Sequence, residues 1–418
     1  MTTKKTIATL AALALSAGFL AGCGGSDNNG GTSNETAQGV TDTEVLIANS
    51  AATSGTYAPV GVPFLAGMNA YLDMINADGG INGRKVTLLH TDDEFDPAKG
   101  SAALTKFVED DKVFAIVGDF GTPVVAANVG QLKEYGIPSV YFATGIGQLY
   151  ADNATTNEEG YNIFPVQPIY RTEGSIMVAY ATSKFNAKKI GIIYTNDDAG
   201  MDLEKGAVSQ IQSMSGIDYV EQQVAAGAAD VSAAVTSIKQ ANVDFIVVAS
   251  IQGTMPTIVK ELAAQGVNKD CITTYVNVSS AMSEAVLGDI TGKFDLYGLG
   301  WVDYTSSVAQ QSLKDYQAQI DPQYAMNAYA QTGWIASYFF CEGLRRVGGD
   351  SLTWDSYMKA LESAPIQNPF GGIIDYSNGK RLGTQEMNLS KVVAPSDADP
   401  AGWHQVEPLQ GVDSLLGK

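Results

Sequence analysis

From Thr43 onward, short apolar runs alternate with segments of helical pattern. Because each run is almost continuously apolar, we expect parallel strands that helices cover on both faces. The predicted strands are 44–51, 85–93, 113–119, 137–145, 189–197, 243–251, 271–277 and 295–303, and the clearest helical segments are 64–80, 98–111, 173–185 and 254–266. The alternation predicts an α/β fold wound in right-handed βαβ units.

The series of strands and helices starts twice. The stretch "KIGIIYTNDDAG" (189–200) and the helix after it echo "EVLIANSAATSG" (44–55) and its helix. A chain of 418 residues is long enough for two domains with separate cores. Two similar α/β lobes are the natural interpretation, and a single large sheet is the alternative.

Residues 1–22 have the pattern of an export signal. Two lysines precede an apolar stretch (7–20) that is too short to span a membrane as a mature helix. The end of this stretch, "LAGC", resembles the bacterial lipobox, and the resemblance implies cleavage before Cys23 and acylation of its thiol. An ordinary signal peptide with a chance cysteine is the alternative.

The segment after Cys23 has the composition of a tether. It is rich in Gly, Ser, Asn and Thr and almost free of apolar residues, so residues 23–42 are expected to be flexible. Two acyl chains on Cys23 would suffice for stable anchoring. We therefore expect a lipid-anchored protein of the cell envelope, on the outer face of the cytoplasmic membrane or in the periplasmic or extracellular space.

Composition argues against several classes of function. The net charge of −20 argues against binding to nucleic acid. Two dispersed histidines, His90 and His404, and two cysteines after the tether make a zinc site improbable, and no G-x-S-x-G elbow occurs. We expect no enzyme and no cofactor or metal. Whether Cys271 and Cys341 form a disulfide stays open.

Hydroxyl residues follow several predicted strands at the start of a helix. Thr122, Thr254 and either Ser279 or Ser280 hold such positions. In open α/β sheets the ligand lies beyond the carboxyl ends of the strands, and converging helix starts can seat a carboxylate. Ser and Thr also cap helices of every kind, which is the plainer explanation at any one position.

Residues 44 to about 390 resemble the branched-chain amino-acid-binding family of periplasmic binding proteins, the type I solute receptors of ABC importers. The resemblance rests on "INADGGINGRKV", an acidic "DD" and "VGD…GIPSV…ATG", in family order and spacing, and on the late stretch "NAYAQTGWIASYFFCEGLRR". It implies two doubly wound parallel-sheet lobes joined by a three-crossover hinge near Pro165, Trp301 and Gly372. The implied lobes are 43–165 plus 302–372 and 166–301 plus 373–418.

The resemblance also implies ligand-binding residues. Thr122 stands where the family holds the ligand carboxylate, and Ala143, Thr144 and Gly145 match the loop that adds backbone contacts. The other implied ligand-binding residues are Ser54, Tyr57, Tyr150, Asp198, Gln252 and Asn277.

Asn277 departs from the family, which commonly places an acidic residue there to pair with the ligand's ammonium. Leaving a buried charge unpaired is costly. Either another acid compensates, Asp198 or Asp119 by alignment, or the ligand has no ammonium, which we favour slightly. Tyrosines near the strand ends make an aromatic or short organic acid, or an amide, plausible, and tyrosines of the core are the alternative.

The sequence therefore predicts a monomeric solute-binding lipoprotein of an ABC importer. It would capture a small amino acid, or a related carboxylate, amide or aromatic acid, and deliver it to a permease and its ATPase subunits. A membrane-tethered ligand sensor that uses the same cleft is the alternative.

Overall fold

The computed structural model describes residues 37–155, 158–348, 351–397 and 399–418. The predicted export signal (1–22), the predicted lipidation at Cys23 and most of the predicted tether lie outside the described residues.

The end of the predicted tether differs from the expectation. The backbone N–H of Ala37 donates to the Leu352 carbonyl at 3.2 Å, and Gln38 Nε2 donates to the Val113 carbonyl at 3.0 Å. Residues 37–42 are thus attached to the folded body instead of running free.

The strands and helices alternate along most of the chain. The strands are β1 (Glu44–Ala51), β2 (Lys85–Asp92), β3 (Ala115–Phe120), β4 (Ser139–Ala143), β5 (Ile163–Phe164), β6 (Lys189–Thr195), β7 (Asp218–Val224), β8 (Phe245–Ala249), β9 (Cys271–Thr273), β10 (Leu296–Gly300), β11 (Ile366–Gln367), β12 (Ile373–Ile374), β13 (Glu386–Val392) and β14 (Trp403–Gly411). The helices are α1 (Ala58–Ala77), α2 (Pro97–Thr105), α3 (Thr122–Tyr135), α4 (Tyr170–Ser183), α5 (Asp198–Gln212), α6 (Ser232–Ala241), α7 (Thr254–Ala264), α8 (Ser280–Ile290), α9 (Ser307–Gln319), α10 (Ala328–Val347), α11 (Trp354–Glu362) and α12 (Val412–Leu416).

The first lobe is built on a parallel sheet of strand order β2-β1-β3-β4-β5. Strands β1, β3, β4 and β5 are almost wholly buried, as their continuous apolar character predicts, whereas the edge strand β2 is mostly half-buried. Helix α1 packs along α10, and two glycines let the backbones approach closely, because a Cβ at Gly67 would overlap the Ala330 carbonyl and one at Gly333 the Phe64 carbonyl.

The second lobe is built on a mixed sheet of strand order β14-β13-β10-β9-β8-β6-β7. Strands β6 to β10 are parallel, whereas β13 is antiparallel to β10 and β14 is antiparallel to β13. The predicted parallel sheet is confirmed for β6 to β10, and two antiparallel strands that the sequence did not predict extend it at this edge. An antiparallel pair needs only a loop between its strands, and such edge strands are common on parallel sheets.

Three hinge segments join the lobes, as the fold class predicts. The chain enters the second sheet between Phe164 and Tyr170, leaves it after Gly300 and returns at Glu386. The third passage comes later in the chain than the expected position near Gly372. The backbone of Arg381 still pairs with Ala151 in the first lobe.

Arg381 holds the third segment to the first. Its guanidinium is fully buried, 2.7 Å from Glu362 Oε1 and stacked on the Phe164 ring at 4.0 Å from the centroid. It also donates to the Tyr161 carbonyl at 2.7 Å. Burial lowers the pKa of Arg381, and the Glu362 carboxylate opposes that shift.

The two cysteines after the tether are free and buried in separate apolar clusters, which answers the disulfide question. No helix of the described ranges is both long and apolar enough to cross a bilayer.

Replacing Arg381 with alanine should lower the free energy of unfolding by about 3–5 kcal/mol, because Glu362 would lose its buried cation and Phe164 its stacked partner. Urea unfolding followed by circular dichroism measures the loss. Lys380→Ala is the matched control, since its ion pair with Asp375 is more exposed and should be worth less than about 1 kcal/mol. Equal losses in the two variants would contradict the assigned role of Arg381.

Candidate functional site

A cavity of about 320 Å³ lies where the strand ends of both sheets face each other. Its wall in the first lobe comes from the ends of β3 and β4, and its wall in the second lobe from the segments after β8, β9 and β10. Strands β13 and β14 and the start of α10 complete it. The lining includes Phe95, Phe120, Gly121, Thr122, Ala143, Gln167, Tyr170, Ile251, Gln252, Tyr275, Val276, Ser279, Gly300, Trp301, Tyr304, Tyr329, Gln331, Asn388, Ser390, Asp399, Trp403 and Gln405.

The cavity is aromatic and nearly free of charge. Among the described lining residues there is no lysine, arginine or histidine, and Asp399 is the one carboxylate. The Asp399 carboxylate lies 3.1 Å from His404 Nδ1, so it already has a partner. Such a lining favours ligands that are largely apolar.

The wall of the first lobe depends on the turn between β3 and α3. Gly121 makes this turn at φ 90°, and a Cβ there would overlap the Phe95 ring. Thr122 begins α3, and its hydroxyl lies 2.9 Å from the Thr144 hydroxyl. The backbone N–H groups of this first turn have no partner within the helix and are suited to an oxygen acceptor.

The hinge supplies an amide at the base of the cavity. Gln167 Nε2 donates to the Tyr141 hydroxyl at 2.8 Å, and Gln167 Oε1 accepts from the Tyr275 hydroxyl at 3.1 Å. This chain of hydrogen bonds joins β4 of the first lobe to the segment after β9 of the second.

A buried glutamate holds the other end of Tyr275. Glu173 accepts the Tyr275 backbone N–H at 2.7 Å and the Thr274 hydroxyl at 2.8 Å. Complete burial raises the pKa of Glu173 to about 8, and these two hydrogen bonds offset the shift in part. Tyr275 is thus fixed at its backbone and at its hydroxyl, and its ring is pre-positioned in the cavity wall.

Asn277 holds the loop after β8. Its Oδ1 accepts the Gln252 backbone N–H at 2.7 Å, and its Nδ2 donates to the Ser250 carbonyl and the Thr273 hydroxyl, both at 2.8 Å. Gln252 has φ 48°, so an otherwise unfavourable loop conformation is supported by this amide. A carboxylate could not donate to the Ser250 carbonyl, which gives a structural reason for an amide here.

Neither acid that could replace the family's acidic residue lines the cavity. Asp198 is exposed at the start of α5. Asp119 is buried, where it accepts from Ser50 Oγ at 3.0 Å and from Asn128 Nδ2 at 3.2 Å. Burial raises the pKa of Asp119 to about 6.

Besides the Ser279 hydroxyl, two buried amide side chains of the lining each have one atom without a hydrogen-bond partner in the described chain. These atoms are Gln331 Nε2 and Asn388 Oδ1, on residues that are each 3% exposed. Gln331 Oε1 accepts from the Tyr304 hydroxyl, and Asn388 Nδ2 donates to the Val302 carbonyl at 2.6 Å, which fixes both amides. An unpaired polar atom costs about 1–3 kcal/mol when buried, so both atoms point to a ligand or water partner.

Asp202 makes one of several direct contacts between the lobes. Asp202 of α5 accepts the Gly147 backbone N–H of the first lobe at 2.7 Å. Its other oxygen lies 3.0 Å from Arg171 Nε. Asp202 is therefore well placed to stabilise the approach of the lobes.

The predicted site residues fall into three groups. Thr122, Ala143 and Gln252 line the cavity. Thr144, Gly145, Tyr150 and Asn277 lie behind the lining; Thr144 contacts Thr122, and a Cβ at Gly145 would meet the Tyr275 hydroxyl. Ser54 and Asp198 are exposed, and Tyr57 stacks on Phe95 at 3.7 Å.

Sequence reasoning missed Glu173, Gln331 and Asn388. Glu173 has the sequence position of a solvated acid in a first helical turn. Gln331 lies inside the late stretch that carries the family resemblance, so its stretch, though not its role, was identifiable. Asn388 belongs to a strand that the apolar pattern did not predict.

The sequence of the chain is similar to those of known proteins. It matches the family model described as periplasmic binding protein over residues 44–399. It is 23% identical over 260 residues to Leu/Ile/Val-binding protein homolog 2 of Brucella abortus, covering 62% of this chain and 68% of that protein.

Two solved structures share the fold. A fatty acid ABC transporter substrate-binding protein from Thermomonospora curvata superposes with a TM-score of 0.78 at 16% identity, covering 92% of this chain and 96% of that one. A branched chain amino acid ABC transporter from Thermus thermophilus with bound valine superposes with a TM-score of 0.76 at 15% identity, covering 90% and 98%. At these identities the likeness shows the fold alone.

Glu173→Gln should flatten the pH dependence of stability between pH 6 and 8. The folded protein keeps a proton on Glu173 up to about pH 8, whereas the unfolded chain loses it near pH 4.5, so the free energy of unfolding falls as pH rises through this window. The slope for one group is at most about 1.4 kcal/mol per pH unit. Urea unfolding at a series of pH values measures it.

The exposed Asp198→Asn is the control and should keep the slope of the parent protein. Asp93 and Asp119, whose pKa values burial raises to about 6, act mainly below the chosen window. An unchanged slope in Glu173→Gln would show that Glu173 is already ionised in the folded protein.

Proposed function

Because the chain belongs to the periplasmic binding protein family, we propose that it is the solute-binding protein of an ABC importer, which captures a small organic solute between its lobes and delivers it to the permease. The observation that carries the proposal is the cavity, because both lobes and the hinge contribute to its lining. A ligand held there contacts both lobes and stabilises their approach, and a permease can then recognise that arrangement.

The solute is an amino acid or a related carboxylate, amide or aromatic acid. The relatives differ in the ligands that their names give, since one is named for Leu/Ile/Val and a structural neighbour for fatty acid. The lining supports a ligand without an ammonium, because Asp198 and Asp119 lie elsewhere and Asn277 is engaged by the backbone. A desolvated ammonium would be left without a free carboxylate.

Attachment to the membrane through an acylated Cys23 completes the proposal. The "LAGC" motif supports it, and Ala37, fourteen residues after Cys23, is already hydrogen-bonded to the Leu352 carbonyl. The anchor would keep a monomeric receptor at the outer face of the membrane, near its permease.

A thermal-shift screen of residues 24–418 tests the binding function. Short carboxylates, amides and aromatic acids should raise the melting temperature more than free amino acids do, and a ligand at a hundred times its dissociation constant should add about 2.7 kcal/mol of stability. The variant Asp198→Asn should respond as the parent protein does. Stabilisation by amino acids alone, abolished in Asp198→Asn, would contradict a ligand without an ammonium.

Cys23→Ala tests the anchor. The variant should move from the membrane fraction to the soluble fraction when cells are fractionated, because it cannot be acylated. Cys271→Ala, which changes a buried cysteine of the body, should stay with the membrane. Membrane retention of Cys23→Ala would exclude acylation at this position.

A further inference from the structure

The cavity extends across the second sheet, from the carboxyl ends of β8, β9 and β10 onto the face that β10, β13 and β14 form. Its lining follows the strand order of that sheet, with Gln252 after β8, Tyr275 after β9, Gly300 on β10, Asn388 on β13 and Gln405 on β14. These five strands are neighbours, so the lining spans four interstrand spacings of about 4.8 Å, or roughly 19 Å. A cavity of about 320 Å³ that is this long must be narrow.

The outer half of this trough combines apolar side chains, with Trp403 and Val278 both lying over Gly298, and the uncharged polar residues Asn388, Ser390 and Gln405. Register brings Gly300 opposite Asn388 and Ser390 opposite Gln405. A free amino acid, which is compact and carries two charges, would leave this half empty.

The first-lobe end of the cavity offers donors for an oxygen. Gln331 Nε2 is buried and unpaired, and the first turn of α3 presents the backbone N–H groups of Thr122 and Val124, which have no partner within the helix, while Pro123 has no N–H. Gln331 and Thr122 both line the cavity. A carboxylate or carbonyl oxygen satisfies these donors, and no lysine or arginine of the described lining is there to bind it instead.

We propose that the solute is an elongated amphiphile, with a carboxylate or carbonyl head at Gln331 and Thr122 and an unbranched apolar chain along the trough toward Trp403. This inference rests on the proposed function and names the class of solute. Asn388 Oδ1 can accept one hydrogen bond, which a hydroxyl or amide N–H on the solute's chain would donate.

A chain-length series tests the proposal on residues 24–418, which include every described helix and strand. Butanoate, octanoate and dodecanoate are titrated beside leucine, and fluorescence is read from Trp301 and Trp403 in the lining. Each added methylene should tighten binding about fourfold until the chain fills the trough. Octanoate should bind at least 50-fold tighter than butanoate and at least 100-fold tighter than leucine.

Two substitutions test the binding of the carboxylate head and of the apolar chain separately. Ser390→Phe fills the outer half of the trough and should weaken dodecanoate at least tenfold while changing butanoate less than threefold. Gln331→Met removes the donor without changing length and should weaken all three acids by the same factor, about tenfold. Gln223→Phe, at an exposed position of β7, is the control for a new aromatic residue on this sheet.

The outcomes distinguish this inference from the proposed function. Saturable binding of leucine or butanoate with no gain from a longer chain overturns the amphiphile and leaves a receptor for small solutes. Absence of binding by all four probes also overturns the amphiphile, and the wider thermal-shift screen then decides the proposed function. If Ser390→Phe does not fold, the chain-length series on the parent protein still tests whether the solute is an elongated amphiphile.

Discussion

The polar groups of the hinge must find partners inside the protein where the hinge is buried, as most of its first and third segments are. The first and third segments solve this by pairing with each other, since the Thr384 N–H donates to the Val166 carbonyl at 2.9 Å and the Thr384 hydroxyl to the same oxygen at 2.7 Å. Arg381 adds a charged anchor among aromatic rings. The hinge thereby fixes where the two sheets face each other, and every wall of the cavity depends on that placement.

Buried acids around the cavity are held so that the cavity itself stays neutral. Glu173 lies fully buried behind Tyr275, and its raised pKa means that it retains a proton near neutral pH. Asp119 is enclosed by Ser50 and Asn128. Because these carboxyls are engaged by the protein, they are not free partners for a ligand cation, and the burial cost of an ammonium would stay uncompensated.

Pattern alone predicted the apolar strands well and the polar ones poorly. Strand β1 has the predicted bounds, and β2, β6 and β10 differ from prediction mainly at their ends, because a continuous apolar run leaves little freedom. Strand β7, with the sequence "DYVEQQV", and strand β14 are partly exposed and polar, so they carry no such signal.

The candidate site was predictable to the extent that it follows strand ends. Thr122 and Gln252 line the cavity because they come directly after β3 and β8. The role of Asn277 could not be predicted, because the sequence does not distinguish an amide that contacts a ligand from one that supports a loop. Only the hydrogen bonds to Gln252 and Ser250 distinguish the two. Unpaired atoms such as Gln331 Nε2 are properties of the packed structure and leave no trace in sequence.

The part of the fold that the sequence pattern did not predict is the part that extends the cavity. A parallel sheet that ended at β10 would offer only the ends of β8, β9 and β10, enough for a compact ligand at the hinge. Strands β13 and β14 widen the sheet by two spacings, roughly 10 Å, and place Ser390, Gln405 and Trp403 of its face in the lining. In the loop between these two strands, Asp399 contacts His404, so the one carboxylate of the described lining already has a partner. The antiparallel edge therefore lengthens the cavity without adding a free charge, and this combination suits an apolar chain better than a zwitterion.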